Sequence, residues 1–129
     1  MRSLRDIIRH AKVRRAAKQA IAFEQRSLET HRKLASVQEE FGTLFNEACA
    51  AFFEIDPAGI NYEENTDEYS PEVTTTLPRL AEATSPEDVR RILGEEFKWW
   101  FGWGNYDRSR LDPLAHRLWD LWVAHESRT

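Results

Sequence analysis

The chain has 129 residues, 41% of them hydrophobic, and a formal net charge of −4. This length favours a single domain with a buried core. Cys49 is the only cysteine, which excludes an intrachain disulfide and a CxxC-type metal site. No apolar run reaches the roughly 18 residues that a membrane-spanning helix needs, and the N-terminus lacks the apolar segment of a secretion signal. We therefore expect a cytoplasmic protein.

Charge is distributed unevenly along the chain. Residues 1–40 contain ten Lys or Arg and five Asp or Glu, whereas residues 41–129 contain eight and seventeen. The pattern indicates a basic arm on an acidic body. Residues 1–18 of the arm are open to several interpretations. They can form a solvated helix, pack on the acidic body of the same or a second copy, bind nucleic acid or an anionic membrane, or belong to a mitochondrial presequence.

The first predicted element is a helix, because residues 1–41 contain neither Gly nor Pro. Its apolar positions change side along the chain. Ile21 and Leu28 lie about a quarter turn away from the N-terminal apolar stripe, and a new stripe runs from Leu34 to Ile55. One straight helix cannot place all of these residues on one core. We therefore favour a break between residues 27 and 34; the alternative is that the first half packs on something else.

The stripe that begins at Leu34 is predicted to end at Asp56-Pro57-Ala58-Gly59, because Pro57 disfavours the helical conformation at Asp56 and Gly59 permits a turn. Ser70-Pro71-Glu72 is a start signal, with a capping residue, a proline at the first helical position and an acid in the first turn. Pro78 predicts a kink in the helix that follows.

Ser85-Pro86-Glu87-Asp88 is the clearest helix start in the chain. Gly102 is predicted to end this helix, and Asp112-Pro113 to open the last one. No segment shows the alternating pattern of a strand. We therefore predict an all-α fold, a compact bundle of about five helices with a long basic N-terminal helix. Residues 1–33 form the basic arm and residues 34–129 the helical domain.

Four motifs lie between residues 44 and 104. They are Asp56-Pro57-x-Gly59-Ile60, Asp67-Glu68-Tyr69-x-x-Glu72, Ser85-Pro86-Glu87-Asp88, and Phe97 followed by Trp100-Phe101. On these motifs the chain resembles a group of small bacterial helical proteins that are suspected of acting as immunity or accessory proteins to toxins. The resemblance implies an all-α fold and no established chemistry, and it carries over no catalytic residue.

The acidic connector between the second and third predicted helices suggests a partner-binding surface. Its candidate residues are Glu63, Glu64, Asp67 and Glu68, because clustered carboxylates steer association with basic proteins. A solvated loop with acids near a helix N-terminus is the alternative. The spacing from Asn61 to Glu72 also resembles an EF-hand loop, but Thr66 replaces the turn glycine, so we expect no metal.

Three aromatic residues, Trp99, Trp103 and Tyr106, extend this predicted partner-binding set, since Trp and Tyr dominate binding hot spots. The alternative is that they close the core against the last helix. A small-ligand pocket and stacking on nucleic-acid bases are further options.

An Arg-x4–6-His spacing is typical of helical HEPN-type ribonucleases, and three pairs match it: Arg5/His10, Arg26/His31 and Arg110/His116. Arg26/His31 is the most suitable, because it lies in the middle of a helix. No other catalytic motif is present. We therefore predict a non-catalytic protein-interaction module without a cofactor, possessing an acidic face for a basic protein. A homodimer through the N-terminal helix, the ribonuclease, and an adaptor through residues 1–18 remain alternatives.

Overall fold

The computed structural model describes residues 4–60, 66–102 and 104–128, with side chains from residue 21 onward except residues 66 and 67. Five α-helices occupy these ranges: α1 (Leu4–Phe41), α2 (Thr43–Ile55), α3 (Ser70–Thr76), α4 (Pro86–Phe101) and α5 (Leu111–Arg128). Three short 3₁₀ turns, Thr66–Tyr69, Leu77–Glu82 and Arg108–Arg110, precede or follow them. The described residues contain no strand, so the predicted all-α fold with about five helices is confirmed.

Helix α1 is continuous over 38 residues, so the favoured break between residues 27 and 34 is wrong. The chain turns instead at Gly42, whose φ of 55° suits glycine. The predicted stripe from Leu34 to Ile55 is therefore divided between the end of α1 and α2. Because the apolar positions change side along one continuous helix, some of them face solvent. Ile21 and Leu28 are 55% and 56% exposed, whereas apolar residues near the C-terminus of α1 are buried.

The core lies where α5 packs against α2 and α4. At its centre the rings of Phe52, Tyr69 and Phe97 contact each other, with centroids 5.7, 5.9 and 6.4 Å apart. Each large apolar side chain that is fully buried contributes about 1.5–3 kcal/mol to folding. The core therefore depends on residues from α2, the turn before α3, and α4. Other fully buried residues are Val73, Leu77, Leu80, Val89, Leu93, Leu111, Leu114 and Leu118.

The predicted start of α4 is confirmed in its hydrogen bonds. Ser85 is the N-cap, and its Oγ accepts a hydrogen bond of 3.2 Å from the backbone N–H of Asp88. The Asp88 carboxylate reaches back and accepts from the backbone N–H and the hydroxyl of Thr84, each at 2.9 Å. This reciprocal cap satisfies donors that have no partner inside the helix and fixes where α4 begins.

Candidate protein-interaction surface

The loop that follows α2 is held by a buried tyrosine. Asp56 adopts a left-handed conformation (φ 52°, ψ 58°) at the C-terminus of α2. The hydroxyl of Tyr69 donates to Asp56 Oδ1 at 2.7 Å, and the backbone N–H of Ala58 donates to the same hydroxyl at 3.0 Å. Asp56 Oδ1 also accepts from the backbone N–H of Ile60 at 2.9 Å. Because Tyr69 is fully buried beside this carboxylate, its pKa is raised.

A second group of hydrogen bonds ties this loop to the segment before α5. The guanidinium of Arg110 donates to the carbonyls of Ile55 and Asp56 at 3.2 and 3.0 Å, where the C-terminal end of α2 favours positive charge. The backbone N–H of Asp107 donates to the carbonyl of Pro57 at 2.8 Å. The Asp-Pro-x-Gly and Asp-Glu-Tyr motifs therefore have a structural use, since they hold together the two ends of the acidic connector.

The predicted acidic surface falls largely beyond what the structure describes. Glu63 and Glu64 lie outside the described residues, and so does the side chain of Asp67. Glu68 is described and half-buried. The negative charge of Glu68 repels that of Glu72 and thereby helps to raise the pKa of Glu72.

Glu72 itself, in the first turn of α3, is buried. Its side chain is 5% exposed, and its Oε2 has no hydrogen-bond partner. Burial raises its pKa to about 7, and the charges of Glu68 and Glu96 add to this effect. Glu96, on α4, is 6% exposed, and its pKa is raised by burial as well. The sequence pattern indicated only an acid in the first turn of α3, and gave no signal that its side chain is buried.

Of the three predicted aromatic contacts, Trp99 is exposed, at 45% of its surface. The guanidinium of Arg26 lies 4.7 Å from the centroid of its ring and also donates to its backbone carbonyl. The neighbouring Trp100 is buried, donates from Nε1 to the hydroxyl of Thr75 at 3.0 Å, and meets the edge of Phe23 at 5.8 Å. These contacts dock the middle of α1 onto α4.

Of the other two predicted aromatic residues, the structure describes Tyr106 and leaves Trp103 out. Tyr106 is half-buried, and its ring lies 5.5 Å from that of Phe97, so it adds to the core cluster. Trp103 lies outside the described residues.

The Arg26 and His31 side chains contact different parts of the body. Arg26 lies on Trp99, at the end of α4. His31 lines a cavity of about 240 Å³ beside the start of α3, together with Ser27, Leu34 and Pro71. The structure therefore offers no observation that favours a ribonuclease centre at this pair. Arg110 of the third pair is engaged with backbone carbonyls, and the side chains of the first pair lie outside the described residues.

A recess that joins aromatic rings to carboxylates lies at the end of the bundle where α1 and α5 terminate. We call it the aromatic recess: Phe41, Trp122 and His125, with Glu40 and Glu126 at its sides. Its volume is about 520 Å³. The three rings are mutually in contact, with centroids 5.9, 6.2 and 6.3 Å apart. The 3₁₀ turn Leu77–Glu82 closes the third side. The sequence patterns gave no indication of this recess.

The arginines of the body are largely paired with its own acids. Five of them make ion pairs with carboxylates of residues 41–129: Arg79 with Glu82 and Glu95, Arg90 with Asp112, Arg91 with Glu95, Arg110 with Asp107, and Arg117 with Glu54. Such exposed pairs each contribute only about 0–1 kcal/mol to stability. Their electrostatic effect is to neutralise the positive charge of a region that already carries more than twice as many acids as bases.

No protein-family model, no curated protein and no solved structure matches this chain. Among the described residues, no three His, Cys, Asp or Glu side chains converge in a way that could hold a metal ion. In the same ranges, no helix is both long and apolar enough to cross a lipid bilayer.

Proposed function

We propose that this protein is a non-catalytic interaction module whose acidic body binds a basic protein. The main support for the proposal is the excess of acidic over basic residues in the body. Residues 41–129 hold eight Lys or Arg against seventeen Asp or Glu. Five of these arginines are already paired with acids of the same region. The remaining negative charge is available to attract and orient a positively charged partner.

The resemblance to immunity-like proteins gives this partner a class, a toxin with a basic surface. Residues 63–68 of the connector carry four of the acids that such a surface would meet. The hydrogen bonds of Asp56 and Tyr69 hold both ends of this connector against the core. A connector with fixed ends presents its charges with less loss of conformational freedom on binding than a free loop would.

The experiment uses the full chain, tagged at its C-terminus, to capture proteins from a lysate of the source organism. Captured proteins are eluted with increasing salt and identified, and the affinity of a purified partner is then measured. Neutralising the connector acids (Glu63→Gln, Glu64→Gln, Asp67→Asn and Glu68→Gln together) should weaken binding by about tenfold or more, and the loss should shrink at high salt because screening removes the attraction.

A matched control neutralises four exposed acids elsewhere: Glu24→Gln, Glu29→Gln, Glu39→Gln and Asp120→Asn. It removes the same formal charge without touching the connector, so it should leave most of the affinity intact. A captured partner with an acidic surface, or equal affinity losses in the two variants, would contradict the proposal.

A further inference from the structure

Helix α1 is longer than the body that it packs against. Its 38 residues extend about 57 Å at about 1.5 Å per residue, whereas a small domain is about 30 Å across. The described side chains that contact the body run from Phe23, whose ring meets Trp100, to Phe41, whose ring meets Trp122. They cover about 27 Å of the helix. One body therefore cannot cover the whole of α1, although a long helix gains most of its stability from tertiary packing.

The outward face of α1 carries two exposed apolar side chains. Ile21 and Leu28 are 55% and 56% exposed. They are seven residues apart, so they lie two turns apart on the same face of the helix. Thr30 and Val37, which are also seven residues apart, are only 4% and 7% exposed and lie on the opposite face, which packs on the body. Helix α1 therefore has two faces with a repeat of seven residues, and in the single chain only the second is covered.

Charge restricts what can cover the outward face of α1. Residues 1–20 contain seven Lys or Arg and one Asp, whereas residues 41–129 contain eight Lys or Arg and seventeen Asp or Glu. Glu39 and Glu40, near the C-terminal end of α1, are exposed and take part in none of the ion pairs that the described residues form. Two copies of α1 that run in the same direction would bring their basic ends together, and like charges repel. In opposite directions, each basic end lies beside the acidic end of the other helix and its acidic body.

We infer that the outward face of α1 pairs with the same face of a second copy of the chain, and that the two helices run in opposite directions. A two-fold axis midway between Ile21 and Leu28 places Ile21 against Leu28 of the partner subunit. It also places Leu28 against the partner subunit's Ile21, because a two-fold contact is reciprocal. The inference goes beyond the proposed function, since this face lies on α1 and not on the acidic connector.

The first test measures the mass of the full chain in solution by sedimentation equilibrium. Wild type should form a dimer with twice the 15.1 kDa mass of one chain. The dissociation constant of this dimer should rise with salt concentration, because screening weakens the attraction between each basic end and the acidic body. A wild type that stays monomeric at every concentration, or a dimer that becomes tighter with salt, would overturn the inference. A monomer that binds RNA or anionic vesicles in a salt-sensitive way would assign the basic end to those ligands instead, with the same consequence.

The decisive variant is Ile21→Glu with Leu28→Glu, because both positions are exposed in the single chain and the dimer would bring four added carboxylates together. It should raise the dissociation constant of the dimer by about tenfold or more and keep the helical circular dichroism of the monomer. Val123→Glu with Ala124→Glu adds the same charge at exposed positions of α5 and should change the dissociation constant by less than about threefold. Equal increases would show that added negative charge alone separates the copies, and an unaffected dimer would show that it uses another surface. Either result refutes the pairing through α1.

Cysteine cross-linking tests the direction of the two helices. Two single variants, Ile21→Cys and Leu28→Cys, are mixed and oxidised, and one of them is enlarged by a tag. An antiparallel pair should give the mixed disulfide and little of either self-linked product, because only the mixed pair brings the two sulfurs close enough to bond. Self-linked Leu28→Cys chains would indicate parallel helices and contradict the inferred arrangement. Wild type is the blank, since its only cysteine, Cys49, is buried.

Discussion

The buried carboxyl of Glu72 should make the fold less stable as the pH rises. Its pKa is about 7 in the folded protein, against an ordinary value of 4.5. Between these two values the folded chain keeps a proton that the unfolded chain has released. Because the unfolded state binds fewer protons in this range, the free energy of unfolding falls with increasing pH. The stabilising effect of the proton is complete below about pH 4.5 and is lost above about pH 7.

The size of this effect follows from the two pKa values. Their difference, 7 − 4.5 = 2.5, corresponds to about 3 kcal/mol at about 1.4 kcal/mol for each factor of ten in the ionisation constant. Glu72→Gln keeps the shape of the side chain and removes the ionisation. The buried amide has two N–H donors where a neutral carboxyl has one O–H, and a buried donor without a partner costs about 1 kcal/mol or more. We expect the variant to be about 1–2 kcal/mol more stable than wild type at about pH 8.

The assay is urea denaturation followed by circular dichroism at about pH 4.5, 6 and 8. At the lowest pH, Glu72→Gln should be equal to or less stable than wild type, and the order should reverse by the highest pH. Carboxylates whose pKa is lowered by partners, such as Asp88 and Glu95, act in the opposite direction but equally in both proteins, so the difference isolates Glu72. Glu39→Gln, at an exposed site, is the control. Parallel pH profiles of wild type and Glu72→Gln would refute the reasoning.

Three other predictions concern the fold. Tyr69→Phe should lower the free energy of unfolding, measured in urea, by about 1–3 kcal/mol, because the Asp56 carboxylate and the Ala58 backbone N–H lose the hydroxyl that both contact. The control Tyr106→Phe should change the free energy of unfolding by less than about 0.5 kcal/mol. Equal losses in the two variants would disprove the role of the Tyr69 hydroxyl. Ile21→Glu with Leu28→Glu should leave monomer stability within about 0.5 kcal/mol in thermal melts, since both side chains are more than half exposed; a larger loss would show that they are covered. Gly42→Ala should destabilise by about 1 kcal/mol because of the positive φ, although no atom obstructs the added methyl group; an unchanged urea midpoint would contradict that strain.

Local signals in the sequence were sufficient to locate some boundaries. The cap at Ser85 and the proline after it determine the start of α4 through contacts within four residues, so their pattern carries the necessary information. Asp56-Pro57 correctly marked the end of α2 for the same reason. The hydrogen bond between Asp56 and Tyr69 joins residues thirteen positions apart, and it could not be derived from local propensity.

The break in the first helix was misplaced because periodicity assumes that every apolar stripe faces a core. Helix α1 remains continuous and leaves Ile21 and Leu28 in solvent. Gly42 was the actual turning point, yet a single glycine inside an apolar stripe is also compatible with a continuous helix.

The recess and the buried acid depended on tertiary packing. The recess brings Phe41 of α1 beside Trp122 and His125 of α5, residues more than 80 positions apart, and each ring alone has the pattern of a core position. The burial of Glu72 similarly depends on helices distant in the sequence, since both α1 and α4 pack against α3. Single-sequence patterns contain neither contact.

Zero-length carbodiimide cross-linking of the complex with its basic partner tests the central claim most directly, because this chemistry joins carboxylates to lysines that already form ion pairs. We expect links from carboxylates of residues 41–129 to lysines of the partner. Links that join only lysines of the arm (Lys12, Lys18 and Lys33) to carboxylates of the partner would contradict this claim, since the arm and not the acidic body would then make the contact.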